Sequence, residues 1–228
     1  MNKLYLLIFF LCILLVGLVV WPEADIAVSS LFVRDGFILR ENLFLNKLVR
    51  FVFYASRFVA VLSFLGAVGF FLSHKNGKAR PCMFIFLCLL IAPGLIINLG
   101  FKDHWGRARP RDIVAFGGDK EFTPAFFITN QCVRNCSFSS GDAAFGFFLT
   151  CFAYVAPLRR RRVVLAGSLV VAGILSGARL LLGAHFLSDI LTSALLVMGF
   201  NAGLYALFYG RAALADFWKD IMRPAALR

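Results

Sequence analysis

Lys102 and Arg109 stand seven residues apart in Lys-Asp-His-Trp-Gly-Arg-Ala-Arg-Pro, a spacing at which two cations can converge on one anion. In a continuing helix they share a face two turns apart, and Pro110 then discourages continuation. Arginine grips phosphate oxygens as a bidentate fork and lysine as a point charge; an interfacial basic cluster against lipid headgroups is the alternative. A second segment, Cys136-Ser-Phe-Ser-Ser140-Gly141-Asp142, opens an apolar run. Ser and Gly at a helix start leave backbone N–H groups free for an anion, although plain N-capping explains them equally. In the third, Ala178-Arg179-Leu-Leu-Leu-Gly183-Ala-His185-Phe-Leu-Ser-Asp189, Gly183 can end one helix. His185 and Asp189 then share a face at the start of the next. An Asp that accepts one imidazole N–H leaves the other nitrogen free to attack or take a proton. A buried Arg–Asp pair with a bystander His is the bland alternative, but ionisable residues at membrane depth point to function.

The elements that must position these clusters are membrane helices. The 228 residues are 61% hydrophobic, with 27 Phe, too apolar for a water-soluble domain. Six stretches suit spans of about 20 residues: Leu4–Trp21, Phe51–Ser73, Pro81–Phe101, Ser140–Leu158, Val163–Leu182 and Phe186–Tyr209. The first resembles a signal peptide in its Met-Asn-Lys start, but no small-x-small cleavage site follows, so an uncleaved helix is expected. No linker, repeat or low-complexity tract divides residues 1–228, which read as a single membrane domain with core motifs at 102–189.

The net charge of +12 could attract nucleic acid, but its placement in short loops fits lipid and membrane topology instead. Lys3, Lys75, Lys78, Arg80, Arg159 to Arg162, Arg211, Lys219, Arg223 and Arg228 fall on one side, against Asp216 and Asp220. Arg34, Arg40, Lys47 and Arg50 on the other side are balanced by Glu23, Asp25, Asp35 and Glu41. The positive-inside rule then puts both termini in the cytoplasm and every polar cluster at the outer ends of four helices.

Together the clusters resemble the type-2 phosphatidic acid phosphatase superfamily, whose signature runs K-x6-R-P, P-S-G-H and S-R-x5-H-x3-D. Lys102 to Pro110 complete the first element; the third keeps Arg179, His185 and Asp189, with Ala178 in place of its Ser. The resemblance implies a lipid phosphatase that needs no metal or other cofactor. Lys102, Arg109 and Arg179, joined by Ser140 and the Gly141 N–H, would grip the phosphate, and His185, oriented by Asp189, would form a phosphohistidine. The second element departs from the pattern. Asp142 replaces the histidine that protonates the leaving alkoxide, so Asp142 must supply that proton, with His104 as a weaker substitute, or the step must manage without a donor. An ordinary Asp, with a pKa of about 3.9, is a poor acid at neutral pH, but a neighbouring phosphate anion raises it.

Asp103 to Pro110 and Asn135 to Gly141 most resemble bacterial enzymes that dephosphorylate lipid A, which implies the inner membrane with a periplasmic site and a phosphorylated lipid as partner. Phosphatidylglycerophosphate and undecaprenyl pyrophosphate are alternative substrates, and phosphate transfer to a second lipid or non-catalytic lipid binding are alternative functions. A transporter fits less well, because the polar residues gather at one face rather than the midplane. Of six cysteines, Cys12, Cys82, Cys88 and Cys151 lie in spans as packing residues, while Cys132 and Cys136 either form a disulfide or stay free. Arg57, inside the second span, either helps bind substrate or snorkels outward. The loop Ile113–Gln131, with Phe116, Phe122, Phe126 and Phe127, reads as a surface segment that could admit lipid tails.

Overall fold

The computed structural model describes residues 3–34 and 36–223, with side chains from residue 12 onward. The helices are α1 (Lys3–Val20), α2 (Glu23–Ser30), α3 (Leu43–Leu72), α4 (Asn76–His104), α5 (Gly141–Val155), α6 (Arg161–Leu181), α7 (Leu187–Tyr209) and α8 (Arg211–Met222). Among the described residues there is no strand; two isolated bridges, Val33 to Phe37 and Ile113 to Lys120, tie loops.

Four of the described helices are long and apolar enough to cross a membrane: α3, α4, α6 with the preceding turn, and α7. A bent pair makes a fifth, because the chain turns by 100° between α1 and α2. The six-span expectation therefore narrows to four or five on length and composition. The stretch expected as Ser140–Leu158 forms only the shorter α5, interrupted by a turn at Leu149 and Thr150. It is buried among other helices rather than presented to lipid. At Gly146 an added Cβ would lie 2.7 Å from the Cα of Ala172 on α6, an approach that small residues permit.

Two boundaries move. Asn42 caps α3 by accepting from the Leu45 N–H, so that helix begins eight residues before the expected Phe51, and Lys47 and Arg50 belong to it rather than to a loop. The segment after Trp21, expected as connection, is helical and carries Asp25 into the interior. Arg228, one of the residues that set the orientation, lies outside the described residues.

The core forms where α4, α5, α7 and α8 meet, around Phe84, Phe148, Val197, Tyr205 and Phe217. Large apolar side chains such as Phe58, Leu65 and Leu72 point away from the bundle along α3, as a lipid-facing helix requires. From Leu90 to Phe101 α4 widens into a π-helix containing Pro93. Proline has no N–H to donate to the preceding turn, and its own carbonyl accepts from the Asn98 side-chain amide at 2.6 Å. Asn98 is thereby fixed beside the start of α5.

Candidate active site

Lys102 sits in the last turn of α4, but Arg109 does not share its helical face. The helix stops at His104, and Gly106 adopts φ +68°, with Thr129 O only 1.6 Å from where a Cβ would stand. The expected shared face gives way to a turn. Asn135, itself at φ +53°, joins the two cations instead: its side-chain oxygen accepts from Lys102 Nζ at 3.3 Å and its carbonyl from Arg109 at 2.7 Å. Cys132 and Cys136 form a disulfide on either side of that turn, resolving the open alternative.

Ser140 caps α5, its hydroxyl accepting from the Ala143 N–H at 3.4 Å, so the N-capping role is realised. At Gly141 a Cβ would stand 2.5 Å from Asn98 Oδ1 and 3.2 Å from Lys102 Nζ, so a larger residue there would have to displace both side-chain ends. Asp142, one residue on, places Oδ2 3.1 Å from Arg179 Nε. The Arg179–Asp189 pairing of the bland alternative is absent among the described ion pairs: Arg179 faces Asp142, and Asp189 faces Arg107.

Gly183 ends α6 as expected. Its φ is +60°, and a Cβ would lie 2.5 Å from the Phe37 ring. His185 then falls in the link before α7 rather than on its first turn, and it is fully buried. Its Nδ1 is 2.7 Å from the Ser137 carbonyl and 3.6 Å from Asp189 Oδ2. A carbonyl only accepts, so Nδ1 carries the proton and Nε2 keeps its lone pair. Nε2 meets no hydrogen-bond partner among the described residues. The expected Asp189–imidazole hydrogen bond is thus replaced by one to Ser137 O. Burial pushes the imidazole down from its ordinary 6.5 to about 3; Asp189 opposes the fall, and the charges of Arg179 and Lys102 add to it.

Asp189 acts through its neighbours. Its Oδ2 accepts from Ser137 Oγ at 2.6 Å and from the Phe186 N–H at 2.9 Å, and its Oδ1 from Arg107 at 2.6 Å. Arg107 also bonds Asp25 at 2.9 Å, Ser188 Oγ at 2.9 Å and the Thr123 carbonyl at 2.8 Å, with its guanidinium 4.3 Å from the centre of the Phe186 ring. Asp25 receives the Ser188 N–H and hydroxyl as well. Arg107, Asp25, Ser188 and Asp189 are all fully buried. Sequence reasoning assigns Arg107 and Asp25 no site role: one reads as a spacer between Lys102 and Arg109, the other as a loop charge. Two arginines spaced by one residue, only one of which can face a ligand from an extended chain, are the signal that could have found the first.

His104, the weaker substitute donor, turns back on its own helix, Nδ1 lying 2.9 Å from the Gly100 carbonyl, and is exposed. The Ile113–Gln131 loop departs in part from its expected surface position. Phe116 packs on Phe37, Phe122 on Phe186 and Phe126 on Phe138, with ring centres 5.1–5.5 Å apart. Phe122 and Phe186 thereby cover Arg107, whereas Phe126 and Phe127 keep exposed faces.

A groove of about 920 Å³ reaches this centre. It is lined by Lys102, Arg109, Arg179 and Asp142 together with Val52, Ala60, Leu89, Leu90, Pro93 and Phe145 from α3, α4 and α5. His185 is not among the lining residues and is fully buried. The cations could hold a phosphate, and an attached apolar tail would have walls to follow.

This fold and cation set define a family. Residues 82–212 match the PAP2 superfamily, and the chain belongs to it. Over 201 residues it is 36% identical to a lipid A 4'-phosphatase of Francisella tularensis subsp. novicida (strain U112), covering 83% of this chain and 88% of that one. A lipid A 4'-phosphatase of Rhizobium leguminosarum is 40% identical over 119 residues, 52% of this chain and 51% of the relative. No solved structure matches the chain.

Proposed function

We propose that this protein is a multi-pass membrane phosphatase that removes a phosphate monoester from lipid A, at the 4' position as in the named relatives. The observation that carries the reading is the groove, which Lys102, Arg109 and Arg179 line together with apolar side chains of α3, α4 and α5. A soluble phosphate ester would gain nothing from those walls, whereas acyl chains bury apolar surface there.

Lys102, Arg109 and Arg179 hold the phosphate oxygens, and the Gly141 N–H at the α5 start adds a backbone donor. These fixed charges stabilise the in-line transition state without a metal. His185 Nε2 attacks phosphorus while the bond to the lipid oxygen breaks. Positive charge appears on the ring, where the Ser137 carbonyl and the Asp189 carboxylate stabilise it. The incoming phosphate competes with Asp142 for Arg179; the freed carboxyl, now beside an anion, gains affinity for a proton and gives it to the leaving oxygen. In the second half Asp142 takes a proton from water, water attacks the phosphohistidine, and inorganic phosphate leaves.

Six membrane crossings, α1/α2 and α5 included, with both termini cytoplasmic, place the groove at the periplasmic side of a bacterial inner membrane; the one-sided distribution of Lys and Arg supports this. Purified protein in detergent is expected to release phosphate from lipid A, and His185→Ala to release none while unfolding at a similar temperature. Undiminished release by His185→Ala would sink the mechanism.

A further inference from the structure

Besides the three phosphate-gripping cations, Arg50, Arg57, Arg111 and Arg134 line the same groove. Among the described residues its only lining carboxylates are Asp103 and Asp142. Both are engaged: Asp103 accepts the Asn135 N–H at 3.1 Å and Asp142 lies against Arg179. A phosphate monoester carries about two negative charges, which Lys102, Arg109 and Arg179 already match. Arg111 belongs to that same cluster: burial, then the charges of Arg179 and Arg111, bring Arg109 down to about 10.

Arg50 and Arg57 are different. They stand two turns apart on one side of α3, across the groove from the α5 N-terminus, and neither makes an ion pair among the described residues. Arg57 lies well inside a 30-residue apolar helix, its guanidinium 3.9 Å from the centre of the Phe53 ring one turn back toward the helix start. A cation at that depth is costly unless it meets water or an anion, and snorkelling needs only one arginine, not two aligned along a groove wall.

We propose that Arg50 and Arg57 form a second anion subsite, which takes another phosphate or carboxylate on the headgroup of the same lipid whose monoester is cleaved. The subsite makes the enzyme selective for polyanionic lipids over singly phosphorylated ones. It rests on the lipid phosphatase reading above.

The test compares lipid A bearing a second phosphate with lipid A lacking it, each in neutral detergent. Wild-type protein is expected to favour the doubly phosphorylated lipid in kcat/KM, mainly through KM. Arg57→Gln, and the double variant Arg50→Gln/Arg57→Gln, should cut that preference by about tenfold or more, as loss of a charge-assisted contact does, and Arg57→Lys should restore much of it. An equal change for both lipids, or an unchanged preference, overturns the proposal. So does a preference that emerges only when phosphatidylglycerol is added, since the anion then belongs to a neighbouring lipid. Equilibrium binding of both lipids to His185→Ala protein distinguishes the same outcomes without turnover. Phosphate release from neither lipid by wild type counts against the phosphatase reading, and the binding comparison still decides the subsite.

Discussion

Arg107 and Arg109 are separated by one residue, yet they end in opposite environments. Arg107 is fully buried between two carboxylates, Asp25 and Asp189, with a hydroxyl, a backbone carbonyl and an aromatic ring completing its surroundings. Arg109 is half-buried, holds the Asn135 carbonyl and faces a groove rich in other cations. One region is a closed electrostatic network, in which a single guanidinium is shared by two carboxylates. The other is left positive. The contrast sets a frame closed by its own buried ion pairs beside an unneutralised face, whose missing partner in the proposed mechanism is the substrate.

Substitutions can break this comparison at several points. The largest effect is expected at His185, where Ala removes the proposed nucleophile and phosphate release falls to background, with little change in thermal unfolding. Arg107→Ala should act on the frame, leaving Asp25 and Asp189 buried without their cation and costing about 3–5 kcal/mol of stability, read as a lowered unfolding temperature in detergent. Arg109→Ala should do the reverse, lowering kcat/KM by about 10²–10³-fold while unfolding stays near wild type. If the two arginine variants behave alike, frame and face are not distinct. Asp142→Asn keeps the shape but removes the proton; a fall of about 10²-fold in kcat is expected, smaller for a substrate whose leaving group needs no proton.

The smallest effect sharpens the picture through pH. His185 stays neutral in the folded protein down to about pH 3, whereas the unfolded chain takes up that proton near 6.5. Between those values the unfolded state binds more protons, so stability rises with pH and is lost as pH falls. The slope of stability against pH between about 6.5 and 4 should therefore be shallower in His185→Gln than in wild type.

Much of this was legible in the residue order. Lys102, Arg109, Arg179, His185, Asp189 and the Ser140-Gly141-Asp142 turn could be named because their types and spacings carry chemistry, and all of them gather at one end of the helix bundle. Less legible were the partners. His185 and Asp189, four apart, suggested a helical pair, but Gly183 and a non-helical link put the imidazole on the Ser137 carbonyl, forty-eight residues away in sequence. Asp142 looked like a solitary replacement for a histidine, and its contact with Arg179 depended on how α5 packs against α6. The number of membrane spans was legible only in part: length and composition support four or five among the described helices, because α5 is shorter and lies buried against protein.

By itself the sequence determined the chemistry on offer: an apolar chain with a lysine, arginines, a histidine and aspartates at spacings that suit phosphate chemistry. Those properties reside in side-chain identity and local spacing, and no fold can add to them. Only the tertiary structure decided which charges cancel. Asp25 reaches Arg107 across eighty-two residues and Arg107 reaches Asp189 across another eighty-two, and Coulomb interactions depend on distance in space, not along the chain. That closure leaves Lys102, Arg109 and Arg179 facing the groove with Asp142 as the carboxylate beside them, and a phosphate can take their charge.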